Sequence, residues 1–173
     1  AVGVGLTLMN APDGVGVFWP ATGTLFAFLL LYPARFWPAL LAFGFLAEIL
    51  ANEAFAPPQI PYTLSGLLYF IKFASGLAGV WLMHISIHGP ISFARLHHVL
   101  VFPAAAALSS LASGLLAVGL RDGQALTSPE YWLSVQVWWI GDFLGALIIT
   151  PLILTIGFHG LSVTTPMRGG RTS

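Results

Sequence analysis

Residues 132–158 read WLSVQVWWIGDFLGALIITPLILTIGF. One charge, Asp142, interrupts an otherwise uncharged and mostly apolar run. A lipid-spanning helix needs about 20 mostly apolar residues, and this run exceeds that. The apolar residues are continuous rather than alternating, so a barrel strand is excluded. Only a helix then satisfies the backbone in lipid. Within the run Gly141 and Gly145 form a GxxxG, a spacing that lets another backbone approach closely. Trp138 and Asp142 are four apart and share a face. Pro151 has no N–H, so the carbonyl of Leu147 loses its helical partner. A kink is expected there, about two turns below Asp142.

The rest of the 173-residue chain has the same character. Hydrophobic residues make up 57% and charged residues 7%, with Lys plus Arg 6 and Asp plus Glu 6. Mean hydropathy is +0.89. So few charges cannot coat a water-soluble globule. A soluble enzyme, a disordered segment and a nucleic-acid binder with a basic face are excluded, and the solvent is lipid. Cysteine is absent, so disulfides, iron–sulfur clusters and thiolate zinc sites are excluded too.

Charges and prolines divide the chain into about six helices of an all-α, multi-span transmembrane bundle. The expected runs are 1–11, a helix stump, then 17–32, 36–52, 62–83, 98–119 and 132–158. Pro57, Pro58 and Pro61 mark one loop, Gly89-Pro90 a second, and 120–130 a third. Residues 1–158 read as one integral membrane domain and 159–173 as a polar linker or tail. The chain starts with Ala1 and lacks a signal-peptide pattern, so it reads as a piece of a longer protein. By alternation, Arg35, Arg95, Arg168 and Arg171 share one side and Arg121 has the other. The positive-inside rule places the first side, with the C-terminus, in the cytoplasm.

Three charges fall within spans: Glu48, Lys72 and Asp142. Each costs roughly 2.5–3.5 kcal/mol near a helix centre, so each needs a partner or a polar pocket. Lys72 and Asp142 both lie ten residues in from the outer start of their runs, about 15 Å deep. They are expected to face one another across the bundle interior. Such a pair either fixes helix register or marks a ligand or signal-coupling site. The candidates for the latter are Glu48, Asn52, Lys72, Trp138, Trp139 and Asp142.

Small residues mark packing stripes: Ala105, Ser109 and Ser113 on one span, Ser75 and Gly79 on another. His84 and His88 are four apart, and His97 and His98 open the next span. No third ligand has clear spacing, so interfacial histidines that bind nothing are expected, with no metal and no cofactor. No catalytic constellation is present: there is no HExxH, no GxSxG and no phosphate-binding glycine loop.

Two stretches read together carry a family resemblance. The first is Phe18-Trp19-Pro20-Ala21-Thr22-Gly23, followed by Phe36-Trp37-Pro38 and Ala51-Asn52. The second is Trp138-Trp139-Ile140-Gly141-Asp142-Phe143-Leu144-Gly145, closing with Thr150-Pro151-Leu152. Their order and spacing over residues 10–158 resemble the membrane-associated sensor domain of the first class, the MASE group. The matching signature positions are Trp19, Pro20, Gly23, Trp37, Pro38, Asn52, Trp139, Gly141, Asp142, Gly145 and Pro151. The resemblance implies a sensory input domain of the bacterial inner membrane, not itself an enzyme. Its output would be a cytoplasmic histidine kinase, diguanylate cyclase or phosphodiesterase module in the parent protein. A small ligand or a membrane-protein partner would supply the stimulus, and a homodimer is expected by analogy with kinase-type outputs. The first helix looks truncated relative to the family. A small transporter or channel subunit is the alternative reading, since buried charges and proline-broken helices suit that as well.

Overall fold

A computed structural model describes residues 18–55, 61–87, 95–122 and 126–163. Within these, the side chains of Glu48, 51–55, Asp122 and 158–163 are outside the described set. Residues 1–17, including the expected helix stump, also lie outside it.

The described residues form five α-helices and one 3-10 turn, with no strand among them. Helix α1 is Pro20–Leu31, followed by the 3-10 turn Ala34–Phe36 and helix α2, Trp37–Phe55. Helices α3, Tyr62–Ser86, α4, Leu96–Asp122, and α5, Pro129–Val163, complete the bundle. The last three are long and apolar enough to cross a membrane. The expected all-α membrane bundle is therefore what the chain forms.

Local chemistry sets the boundaries. Trp19 is extended and Pro20 occupies the first turn of α1, where its missing N–H costs nothing. Tyr32 leaves the helix in an extended conformation and Pro33 follows. The resulting α1 has 12 residues, about 18 Å, well short of the ~30 Å hydrocarbon core. The apolar run 17–32 is thus not a full crossing. Gly23, Phe26, Ala27 and Leu29 of α1 are all buried, so it is an interior element of the bundle.

The expected loop 120–130 is shorter in the structure, because α4 continues to Asp122 and α5 starts at Pro129. Polarity suggested a loop, but the same residues start a helix. Pro129 sits in the first turn, Glu130 suits the positive end of the helix dipole, and Ser128 Oγ accepts the Tyr131 N–H at 3.2 Å. At its other end α5 runs past Phe158 to Val163. Its 35 residues span about 52 Å, so it projects beyond the hydrocarbon layer.

Contacts fix the directions of the helices. Trp19 meets Gly141 and Leu31 meets Gly157, so α1 and α5 run the same way. Gly76 faces Leu25 and Gly79 faces Phe26, so α3 runs with them. Helix α4 runs against α5: the Tyr131 hydroxyl donates to the Leu115 carbonyl, and the Trp139 indole to that of Ala107. Arg35 and Arg95 thereby fall at the end of the bundle reached by the C-terminal half of α5, and Arg121 falls at the other.

The bundle is apolar outside and partly polar within. Phe43, Leu50, Phe70, Trp81, Leu100, Leu116, Leu152 and Ile156 are exposed. Ser65, Ser109, Ser110, Ser113, Asp142 and Thr150 are buried. That distribution suits a lipid solvent, where interhelical contacts rely on small residues and hydrogen bonds.

A candidate polar node inside the bundle

The GxxxG of α5 is the surface on which α1 docks. A Cβ at Gly145 would collide with the backbone carbonyl of Trp19, and one at Gly23 with the carbonyl of Gly145. With both side chains absent, the backbones approach closely enough for the Trp19 N–H to donate to the Gly141 carbonyl at 3.0 Å. Deeper along the same seam, the Thr150 hydroxyl donates to the Gly23 carbonyl at 2.9 Å. The GxxxG was expected to admit a backbone, and α1 is the one it admits.

This seam brings the start of α1 beside Asp142. Lys72 Nζ of α3 lies 3.1 Å from Asp142 Oδ1. Thr22 Oγ1 of α1 donates to the same oxygen at 2.7 Å. The Lys72 side chain is 13% exposed and that of Asp142 3%. The Lys72 ammonium also lies 4.7 Å from the Trp19 ring centroid and 4.9 Å from that of Trp138. Indole faces carry negative potential and attract a cation, more strongly when water is excluded. One carboxylate, one hydroxyl, two indole faces and one ammonium thus tie α1, α3 and α5 together. The Arg121 guanidinium of α4 approaches the Trp138 ring as well, at 5.9 Å.

Lys72, Trp138 and Asp142 are therefore brought together. Trp139 faces elsewhere, stacking on Phe143 and donating its N–H to the Ala107 carbonyl at 3.0 Å. The side chains of Glu48 and Asn52 lie outside the described residues. Among the signature positions, Trp19, Pro20, Gly23, Gly141, Asp142 and Gly145 meet at or beside the node. Trp37 and Pro38 do not: they open α2, where the Trp37 indole donates to the Tyr32 carbonyl at 3.1 Å. Pro151 lies inside α5, one residue past Thr150.

Thr22 and Arg121 were not anticipated at this site. Thr22 was visible in the sequence as the third residue of a helix opened by Pro20, but its partner on α5 was not. Pro103 inside α4 was likewise unremarked, and it frees the Val99 carbonyl as Pro151 frees that of Leu147. The histidines are spread among carbonyls. His84 Nδ1 is 2.8 Å from the Val80 carbonyl and His97 Nε2 is 3.1 Å from that of Ser86. His98 is buried and His88 lies outside the described residues.

No curated protein and no solved structure matches the chain. The MASE1 family model matches residues 1–166, which includes every helix described above. The chain belongs to the MASE1 family of membrane-associated sensor domains.

Proposed function

We propose that this domain is the sensory input module of a bacterial inner-membrane signalling protein, with the C-terminal end of α5 in the cytoplasm. Its output is a cytoplasmic histidine kinase or a cyclic-di-GMP module. The observation that supports this reading is the convergence of Thr22, Lys72 and the two indoles on Asp142. A stimulus that weakens or strengthens any one of these contacts changes how α1 and α3 sit on α5. Helix α5 projects past the bilayer, so its displacement is available to whatever follows it. A ligand acts here only by favouring one packing over another.

The test uses the parent protein. Asp142→Asn keeps the size of the side chain and removes its charge. The reading expects normal membrane insertion with an output that no longer responds to the stimulus, or is fixed at one level. Unchanged regulation in an inserted Asp142→Asn protein would remove the node from the signalling path.

A further inference from the structure

We propose that α4 and α5 share one hinge: their proline-broken turns, at Pro103 and Pro151, lie at a single level of the bundle, and the two helices bend there together. The inference deepens the sensory reading by naming the part that moves.

The register comes from two hydrogen bonds. The Tyr131 hydroxyl of α5 donates to the Leu115 carbonyl of α4, and the Trp139 indole to that of Ala107. A step of eight residues along α5, from 131 to 139, thus matches a step of eight back along α4, from 115 to 107. A second step of the same size reaches Leu147 on α5 and Val99 on α4. These are the two residues whose carbonyls the prolines leave without a helical donor, since each lies four before its proline. Helix α1 gives the same level independently. Gly23 sits on Gly145, so Phe26, three residues further along a parallel helix, is level with residue 148. The Phe26 ring meets that of Phe102, the neighbour of Pro103, with centroids 6.5 Å apart.

The broken turns also lie on packed flanks. Phe143 and Leu147 follow Trp139 at four-residue steps, and Trp139 stacks on Phe143 with ring centroids 6.3 Å apart. Phe143 and Leu147 pack against the buried cluster that holds Phe102, Ala105 and Ala106 of α4. Helices packed in this way do not bend singly. A bend in α5 beside a straight α4 opens a void or forces an overlap, and a close-packed interior tolerates neither. A neighbour whose own soft turn is at the same level removes that conflict. Helix α3 has no interior proline and supplies an unbroken rod beside the pair.

Above the shared level, α5 is held against α1 at Gly141 and Gly145 and against α4 through Tyr131 and Trp139. Toward the other end, Leu96, Val99 and Leu100 of α4 and Leu152 and Ile156 of α5 are exposed. The upper bundle is therefore the fixed body, and the lower ends of the two helices swing as one. A change in how α1 sits on α5 at the node reaches the lower end of α5 with α4 following.

The experiment follows amide hydrogen exchange by mass spectrometry on the chain in lipid nanodiscs. Pro103→Ala returns a donor to the Val99 carbonyl on α4. A shared hinge expects it to slow exchange across residues 149–155 of α5 by about five-fold, the scale of one recovered backbone hydrogen bond, although the substitution lies on the other helix. Pro151→Ala should likewise slow residues 99–105 of α4. Pro103→Leu keeps more of the side-chain volume and should act as Pro103→Ala does, which covers an alanine variant that inserts poorly. Gly119→Ala, on the upper part of α4 with nothing within 4 Å of the added Cβ, should leave residues 149–155 unchanged. If each proline substitution slows exchange only on its own helix, or on neither, the shared hinge is wrong. Separate hinges in a parent protein whose output still depends on Asp142 would overturn this inference alone. A shared hinge in a parent protein whose output ignores Asp142 would overturn the sensory reading alone.

Discussion

The carbonyl oxygen of Trp19 occupies the space that a side chain at residue 145 would need, so α1 and α5 meet there only because that residue is glycine. The obstacle is backbone, which cannot swing aside as a side-chain tip can. Gly145→Ala should therefore push α1 off its seam and cost about 1–3 kcal/mol, the usual range for forcing extra volume into a packed site. Gly119 provides the control, because nothing lies within 4 Å of a Cβ built there. Gly119→Ala should be neutral or stabilising by up to about 1 kcal/mol from helix propensity. Equilibrium unfolding in mixed detergent would compare the two. Equal effects would mean that the α1–α5 seam is not close-packed in solution.

The Lys72–Asp142 pair predicts an asymmetry. Removing one partner leaves the other buried and uncompensated, which costs about 3–5 kcal/mol in known cases. Lys72 retains some exposure and Asp142 almost none, so stranding Asp142 should be the worse outcome. Lys72→Met should thus destabilise more than Asp142→Asn. The double variant Lys72→Met with Asp142→Asn should recover much of the loss. If the losses simply add in a double-mutant cycle, the two groups are not coupled.

The shared level of that pair was legible in sequence, because both residues lie ten positions from the start of an apolar run and helical rise is constant. The GxxxG was legible for the same reason, since it is a local spacing. The partner of the GxxxG was not. It is a 12-residue helix whose length looked like a crossing when Val17–Tyr32 was read as one apolar run. Hydropathy reports solvent preference, and a short interior helix prefers oil as strongly as a spanning one does. Trp138 and Trp139 stand side by side in the sequence but part in the structure, because adjacent residues on a helix differ by about 100° in direction. One therefore reaches Lys72 and the other reaches α4. The loop before α5 was misjudged because Ser128, Pro129 and Glu130 are polar or helix-breaking in general but helix-starting in that order.

Thr150 offers a milder probe of the seam. Its hydroxyl reaches the Gly23 carbonyl and is fully buried. Thr150→Val keeps the shape and deletes one hydrogen bond, so a loss of about 0.5–1.5 kcal/mol is expected. Thr155 lies on the exposed flank of α5 and bonds back to the Pro151 carbonyl of its own helix. Thr155→Val should fall within about 0.5 kcal/mol of wild type, as surface substitutions usually do. A larger effect at Thr155 than at Thr150 would contradict the α1–α5 contact.

Orientation can be checked directly because the chain has no cysteine. Arg95 opens α4 at one end of the bundle, and Ser128 precedes α5 at the other. In intact cells, Ser128→Cys should react with a membrane-impermeant maleimide and Arg95→Cys should not. Both should react after permeabilisation. The reverse pattern would invert the proposed topology and put the projecting end of α5 outside the cytoplasm.

Pro151 lies one residue beyond Thr150, at the lower limit of the hydrogen-bonded seam with α1. Above it, α5 is tied to α1 through Gly141, Gly145 and Thr150. Below it, the contact with α1 is apolar, Gly157 against Leu31. The missing N–H leaves the Leu147 carbonyl without its helical partner, so α5 bends most easily where its anchoring ends. Pro151→Ala restores that hydrogen bond and should stiffen the joint. Two outcomes are expected together. Amide exchange should slow around residues 149–155, and the output of the parent protein should respond less to changes at Asp142 even though the node itself is intact. If exchange slows but coupling to Asp142 is undiminished, the signal passes down α5 as a rigid rod and Pro151 is not its hinge.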